Sequence, residues 1–210
     1  VVSSPFRGLR VVPCKLYFNM DETTFPFSKK VLDRANTIEF SFVNLLSRVA
    51  VDGQVAAQKL DNSFLKTDYL YLQECDDEDF IDTICFNLEE LNQILVKANL
   101  HVGYRVRDEI SFYMMSNKKA KLLDFDVAFD HEIMQKIFPR IQGSSVAIKN
   151  VLSELFAKCA GDYSGFAGAT AYEQMNSYLE SKTCKYPNSA KKIAFMMRRY
   201  EEDGFTSYWL

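Results

Sequence analysis

Apolar side chains recur every three or four residues over much of the chain, which is the spacing of amphipathic α-helices. In the middle of the chain this spacing predicts four consecutive helices, over 88–98, 106–114, 129–141 and 148–156. Two further helices are predicted, one after a Thr-x-x-Glu capping box at Thr170 and one over 189–204 that ends at Gly204. The pattern therefore predicts an α+β fold that is predominantly helical.

Short strands are expected mainly near the N-terminus. The apolar run 14–18 predicts a strand that ends at Asn19, and the alternation of polar and apolar residues over 37–42 predicts a second, half-buried strand. A helix is expected between this strand and the helical half of the chain, over 43–58. The terminal run 205–210 is too apolar to lie in water, so it is expected to dock as a strand.

The stretch 19–36 combines unusual side chains at close spacing. Asn19 lies at the end of the predicted strand, and Arg34 lies on the helical segment that follows it. An amide at a strand tip can orient a water or a γ-phosphate oxygen, and a nearby guanidinium neutralises the charge that develops during phosphoryl transfer. Asn19 and Arg34 are therefore the candidate catalytic residues.

Two more arginines have an unusual position. Arg105 and Arg107 lie in the first turn of the helix predicted over 106–114. Because the helix dipole disfavours cations at that end, at least one of them is expected to have an anionic partner. A salt bridge to Asp108, Glu109 or another nearby carboxylate is one alternative, and contact with a nucleotide is the other, with Arg105 the better candidate for that contact.

These residues carry a resemblance to a known family. The run NMDETTFPFSKKVLDRANTIEF, which starts at Asn19, resembles the sensor-1 to arginine-finger segment of AAA+ ATPases, and most of all their McrB-like branch. GYRVRDEISFYM, over 103–114, is similar to the family's helical lid and sensor-2 region, and QKIFPRIQGSS, over 135–145, is similar to its C-terminal extension. The resemblance implies that Asn19 positions the attacking water and that Arg34 acts on a neighbouring subunit's γ-phosphate. It also implies that Arg105, with Arg107 beside it, contacts the nucleotide from the lid.

The resemblance divides the chain into three parts. Residues 1–45 would be a remnant of the AAA+ core, 46–160 a helical lid-like domain, and 161–210 a helical C-terminal extension. The G-x-x-x-x-G-K-[ST] phosphate loop is absent from the sequence, and so is an upstream acidic strand end that could hold magnesium. We therefore expect a truncated AAA+ core that resembles part of an enzyme but does not hydrolyse NTP alone.

Composition narrows the possibilities further. The 48% apolar content and 25% charged content are those of a globular protein, and the net charge of −3 argues against a broadly basic nucleic-acid-binding surface. Five separated cysteines and two histidines favour reduced thiols and offer little for a metal centre, so no metal ligand is predicted. No apolar run approaches the about 20 residues that span a bilayer, so we expect a cytoplasmic protein with no membrane partner.

Three features have a structural and a functional interpretation. The acidic run 76–79 fits a helix N-terminus better than a cation site, because the spacing of a calcium loop is absent. The glycine-rich run 161–168 fits a linker better than a phosphate loop. The basic groups, which fit solvated helix faces better than a phosphate backbone, are Lys118, Lys119 and Lys121, then Lys191 and Lys192, then Arg198 and Arg199.

Two hypotheses about function remain. In the first, the chain is the C-terminal nucleotide-sensing and lid portion of a McrB-like AAA+ NTPase of the DNA restriction type. The resemblance then implies ATP or GTP with Mg²⁺ in the intact protein, though none tightly bound to this chain, and partners that are AAA+ protomers in a ring, a nuclease subunit and DNA. In the second, the chain is a non-catalytic helical scaffold that binds a protein partner through its aromatic-rich C-terminal segment, since 14% of its residues are aromatic.

Overall fold

The computed structural model describes residues 28–32, 34–39, 72, 75–164 and 169–209, and within these residues the chain is predominantly helical. The strands are short, β1 (Gln142–Gly143) and β2 (Thr206–Ser207). The α-helices are α1 (Lys29–Leu32), α2 (Glu78–Val96), α3 (Tyr104–Ala120), α4 (Phe125–Glu132), α5 (Val146–Ala160), α6 (Ala171–Ser181) and α7 (Pro187–Asp203).

The local signals at several helix ends are confirmed. The Ser145 side chain accepts a hydrogen bond from the backbone N–H of Ile148 and caps α5. Thr170 and Glu173 form both hydrogen bonds of a capping box at the start of α6. Gly204 ends α7 with φ +70°, a left-handed conformation in which a glycine has no Cβ to clash.

The helix predicted over 129–141 changes its geometry partway. After α4 the chain forms a π-helix over Ile133–Ile137 and a 3₁₀ turn over Phe138–Arg140. The Phe138 N–H donates to the Ile133 carbonyl, which is the i→i+5 bond of a π-helix. Pro139 explains the change, because its ring excludes the regular α-helical path through this turn and it has no N–H to donate.

Helix α7 is at the centre of the packing. It contacts α4, α5, α6, the π-helix and β2, and its inner face carries fully buried side chains, among them Ile193 and Met196. Fully burying a side chain of this size stabilises a fold by about 1.5–3 kcal/mol. The aromatic part of the core surrounds these residues and includes Phe129, Phe138, Phe156 and Tyr186.

The C-terminal segment docks as a short strand. β2 pairs antiparallel with β1, with Gln142 opposite Ser207 and Gly143 opposite Thr206. The Thr206 hydroxyl also donates to the Met196 carbonyl at 2.8 Å, and the next residue along, Tyr208, is buried. The expected docking of this apolar run is therefore confirmed over β2.

Most of the elements expected near the N-terminus lie outside the described residues. Asn19, the run 14–18, the helix expected over 43–58 and most of the proposed segment 1–45 lie outside the described residues. Residues 37–39, at the start of the strand expected over 37–42, are described and form no strand. They lie against α7 instead, through an ion pair between Glu39 and Lys192.

Carboxylates from neighbouring helices cap the N-termini of α6 and α7. Asp130 on α4 is 1% exposed and accepts hydrogen bonds from the backbone N–H groups of Asn188 and Ser189, each at 2.9 Å. Glu201 on α7 accepts from the N–H groups of Ala171 and Tyr172 at 3.2 and 3.1 Å. Because the N–H groups of a first helical turn have no partner within the helix, these contacts join the helix starts to the body of the fold.

We predict that Asp130→Ala lowers the free energy of unfolding by at least about 2 kcal/mol, because two backbone N–H groups at the buried start of α7 lose their acceptor. Urea unfolding at equilibrium measures the difference. The matched control is Asp126→Ala on the same helix, where the side chain is half exposed and its contact with Lys185 is 3.8 Å long, so we expect a loss below about 1 kcal/mol. Equal losses in the two variants would contradict the capping role of Asp130.

Candidate functional site

A cleft of 720 Å³ lies between residues 37–39, the π-helix, α7 and the C-terminal segment. Both apolar and polar side chains line its walls, and it is partly open to solvent. Its lining among the described residues consists of Thr37, Ile38, Glu39, His131, Met134, Gln135, Asn188, Lys191, Lys192, Phe195, Tyr208 and Trp209.

Lys192 holds three of the cleft walls together. Its Nζ is 2.7 Å from Glu39 Oε1, 4.5 Å from the centre of the Tyr208 ring and 5.1 Å from that of Phe195. The lysine side chain is only 9% exposed, so this pair is screened by water less than a surface ion pair. Residues 37–39, α7 and the C-terminal segment are thereby joined at one buried cation.

Tyr208 extends this contact. Burial raises the pKa of the Tyr208 phenol above its ordinary value, and the negative charge of Glu39 and a hydrogen bond to that carboxylate raise it further. The phenol therefore stays protonated at neutral pH and donates to Glu39. Because Glu39 already binds Lys192, the acid in the cleft is neutralised from two sides.

Other polar side chains that line the cleft, unlike Lys192 and Glu39, are not paired with one another. Lys191, next to Lys192, is exposed and forms no ion pair with any residue that the structure describes. The side chains of His131, Gln135 and Asn188 likewise have no hydrogen-bond partner within that part of the chain. These groups are free to bind a ligand in the cleft.

The end of α4 and the π-helix that follows it carry a buried cluster of charges. Lys136 is 4% exposed, forms an ion pair with Glu109 of α3 and donates to the Ala35 carbonyl at 3.1 Å. Glu132, one turn earlier, is 2% exposed, and its Oε2 has no hydrogen-bond partner among the described residues. Burial raises the pKa of Glu132 to about 7, with Lys136 lowering it and Glu109 raising it in addition.

The arginines singled out from the sequence do not meet one another among the described contacts. Arg34 is exposed in the turn after α1, and Arg105 is exposed in the first turn of α3. Arg107 forms an ion pair with Asp108 at 2.6 Å and lies 4.9 Å from the centre of the Tyr104 ring. For Arg107 the structure thus shows the salt bridge, which was one of the two alternatives.

The acidic run 76–79 forms a helix start, as expected. Asp77 is the N-cap of α2, accepts from the Phe80 N–H at 3.3 Å and pairs with Lys118 at 2.5 Å. The hydrogen bond from Lys118 is the main reason why the pKa of Asp77 is lowered. Throughout the described ranges no group of three or more possible ligands could hold a metal ion, and no helix is long and apolar enough to cross a membrane.

Most of the cleft could not be predicted from the sequence. Lys191 and Lys192 are visible there only as a basic pair, and no local pattern singles out Met134 or Asn188. One usable signal was present, because Pro139 near the end of a predicted helix indicates irregular geometry and π-helices are frequent at functional sites. Glu39 and Lys192 are 153 positions apart, so no local sequence pattern predicts that they form an ion pair.

We predict that Glu132→Gln flattens the dependence of stability on pH between about 5 and 8. The folded-state pKa of about 7 lies above the ordinary value of 4.5, so the folded protein binds a proton more tightly than the unfolded chain does. The stabilisation from this proton is complete below the unfolded pKa and is lost as pH rises through about 7. Urea unfolding across this pH range measures the effect, with exposed Glu89→Gln on α2 as the control. Identical pH profiles for Glu132→Gln and the wild type would contradict the prediction.

The central and C-terminal parts of the chain match a known family model. The family is described as Domain of unknown function (DUF8727), and the match covers residues 50–205. No curated protein and no solved structure matches the chain. The matched range includes helices α2 to α7 and most of the cleft lining. Because it covers more than half of the sequence, the chain belongs to the DUF8727 family.

Proposed function

We propose that this protein is a non-catalytic helical module that binds a segment of a protein partner in the cleft beside α7. The observation that carries this proposal is the cleft itself, which combines exposed apolar side chains with polar groups that have no partner among the described residues. Its volume of 720 Å³ falls within the range of about 300–1,000 Å³ that is usual for ligand sites.

The apolar lining supports a docking role. Ile38 is 66% exposed at the edge of the cleft, so its side chain is available for apolar contact with a ligand. Met134, Phe195 and Trp209 lie along the same walls and are partly buried. Aromatic residues and methionine are enriched at protein interfaces, because they provide large contact areas with few rotatable bonds or with an adaptable shape.

The construction of the walls also supports this function. Most of the lining residues lie on α7, on the π-helix or on the segment that follows β2, all of which pack against the main core. Sites on packed elements lose little conformational freedom when a ligand binds. A partner segment would therefore dock onto surfaces that are already ordered.

A second candidate function comes from the resemblance to AAA+ proteins. We propose it because Arg34 and Arg105 are both exposed and neither has a carboxylate partner among the described contacts. In this candidate the chain is the nucleotide-sensing and lid portion of a McrB-like NTPase, with ATP or GTP and Mg²⁺ bound in a ring of protomers. Arg34 would contact a neighbouring protomer's nucleotide, and Arg105 would contact the nucleotide from the lid.

We predict that peptides selected from a random displayed library for binding to the full chain bind in the cleft. Ile38→Asn should lower their affinity about tenfold, which corresponds to about 1.4 kcal/mol of binding free energy. Asparagine is neutral, so the test assumes nothing about the charge of the peptide. The matched control is Phe86→Asn on α2, where a residue that is 68% exposed lies outside the cleft lining. Selected peptides that bind both variants and the wild type equally would overturn the docking proposal.

For the second candidate we predict millimolar binding of MgATP or MgGTP and no hydrolysis, because the sequence has no phosphate-binding loop. Binding is measured by NMR, by following the side-chain Nε–H resonances of arginine while the nucleotide is titrated into the protein. Arg105→Ala should abolish this binding. Arg107→Ala is the control, since Arg107 is already paired with Asp108. Turnover that disappears in Arg34→Ala would contradict the prediction of no hydrolysis, and the absence of any shift at Arg34 and Arg105 would reject this candidate.

A further inference from the structure

Polar side chains around the cleft have hydrogen-bonding capacity that the described contacts do not use. Lys191 is exposed without an ion pair, and the amides of Gln135 and Asn188 make no side-chain hydrogen bond within those residues. The indole N–H of Trp209 also has no acceptor there, because only the backbone N–H of Trp209 is bonded, to the Ser207 hydroxyl. These groups together offer an ammonium, two amides and an indole donor to one concave surface.

The charge of the cleft is unbalanced. Glu39 is the one acidic residue in the described lining, where Lys192 balances its charge and Tyr208 donates a hydrogen bond to it. Lys191 then leaves a positive charge without a counterion in that lining. A ligand with carboxylates would complement this field, whereas a ligand with amines would be repelled.

We propose that the cleft binds an acidic peptide segment that also carries aliphatic or aromatic anchors. The carboxylates pair with Lys191 and accept hydrogen bonds from Asn188, Gln135 and the Trp209 indole. The apolar anchors lie against Ile38 and the exposed parts of the cleft's aromatic walls. This inference rests on the proposed docking function and adds the chemistry of the partner.

The local charge pattern favours an acidic protein segment over a nucleic acid. A polynucleotide presents evenly spaced phosphates and is bound by several cations that neutralise them together. The described lining offers one uncompensated lysine, since Lys192 is already occupied by Glu39. One ammonium beside apolar side chains suits a chain in which acidic and apolar residues alternate.

The test uses the only tryptophan of the sequence, Trp209, as the reporter of binding. Its indole fluorescence is followed while the full chain is titrated with a short, tryptophan-free peptide in which glutamate alternates with leucine. Two companion peptides replace every glutamate by glutamine or by lysine. We expect the glutamate peptide to shift the fluorescence and bind at least about tenfold more tightly than the glutamine peptide, with the lysine peptide weakest.

A charge exchange makes the test specific for Lys191. In Lys191→Glu the glutamate peptide should bind at least about tenfold more weakly, and the lysine peptide should bind more tightly than it does to the wild type. Added salt should lower the affinity of the glutamate peptide for the wild-type protein, because part of that affinity is electrostatic. The control is Lys182→Glu, which removes an exposed lysine outside the cleft lining and should leave both peptides unaffected.

The possible outcomes separate this inference from the proposed function. Equal affinity of all three peptides, weakened by Ile38→Asn, would overturn the acidic specificity and leave the docking function standing. No response of Trp209 to any of the three, together with no effect of Ile38→Asn on library-selected peptides, would overturn both. If the glutamate peptide binds most tightly, and binds Lys191→Glu as tightly as the wild type, the acidic ligand binds at another surface. That result would overturn the proposed site.

Discussion

The carboxylate of Asp130 is the contact on which the arrangement around the cleft depends. It is buried on α4 and binds the first backbone N–H groups of α7, so it fixes where the central helix begins. Two neighbours of Asp130 line the cleft. One is His131, the next residue along the chain, and the other is Asn188, whose backbone N–H donates to the Asp130 carboxylate. The capping interaction thereby sets the distance between two walls of the candidate site, as well as joining two helices.

The end of α4 and the π-helix that follows it carry side chains in two different environments. Met134 and Gln135 face the cleft, whereas Glu132 and Lys136 lie in a buried charge cluster against α3. Burying a carboxylate is costly, and this burial raises the pKa of Glu132 although Lys136 lowers it. The same irregular turn therefore lines the candidate cleft and carries a buried acid beside a buried lysine.

The local features of the fold could be predicted from the sequence, and the site could not. The capping box at Thr170, the cap at Ser145 and the stop at Gly204 each depend on residues a few positions apart, so a single sequence shows them. Lys192 was visible only as part of a basic pair, because its partner Glu39 lies 153 positions away. Arg34 and Arg105 are visible in the sequence by their positions, and their role in nucleotide binding is a proposal because Asn19 lies outside the described residues.

The long-range contacts of residues 35–39 also bear on the order in which the molecule folds. Ala35 is bonded to Lys136 across 101 positions, and Glu39 to Lys192 across 153, whereas Asp130 reaches α7 across 58. The entropy cost of closing a chain loop grows with its length, and contacts between distant positions slow folding. The helical body from α4 to α7 should therefore assemble first, and the wall formed by residues 37–39 should be the last to close and the first to open.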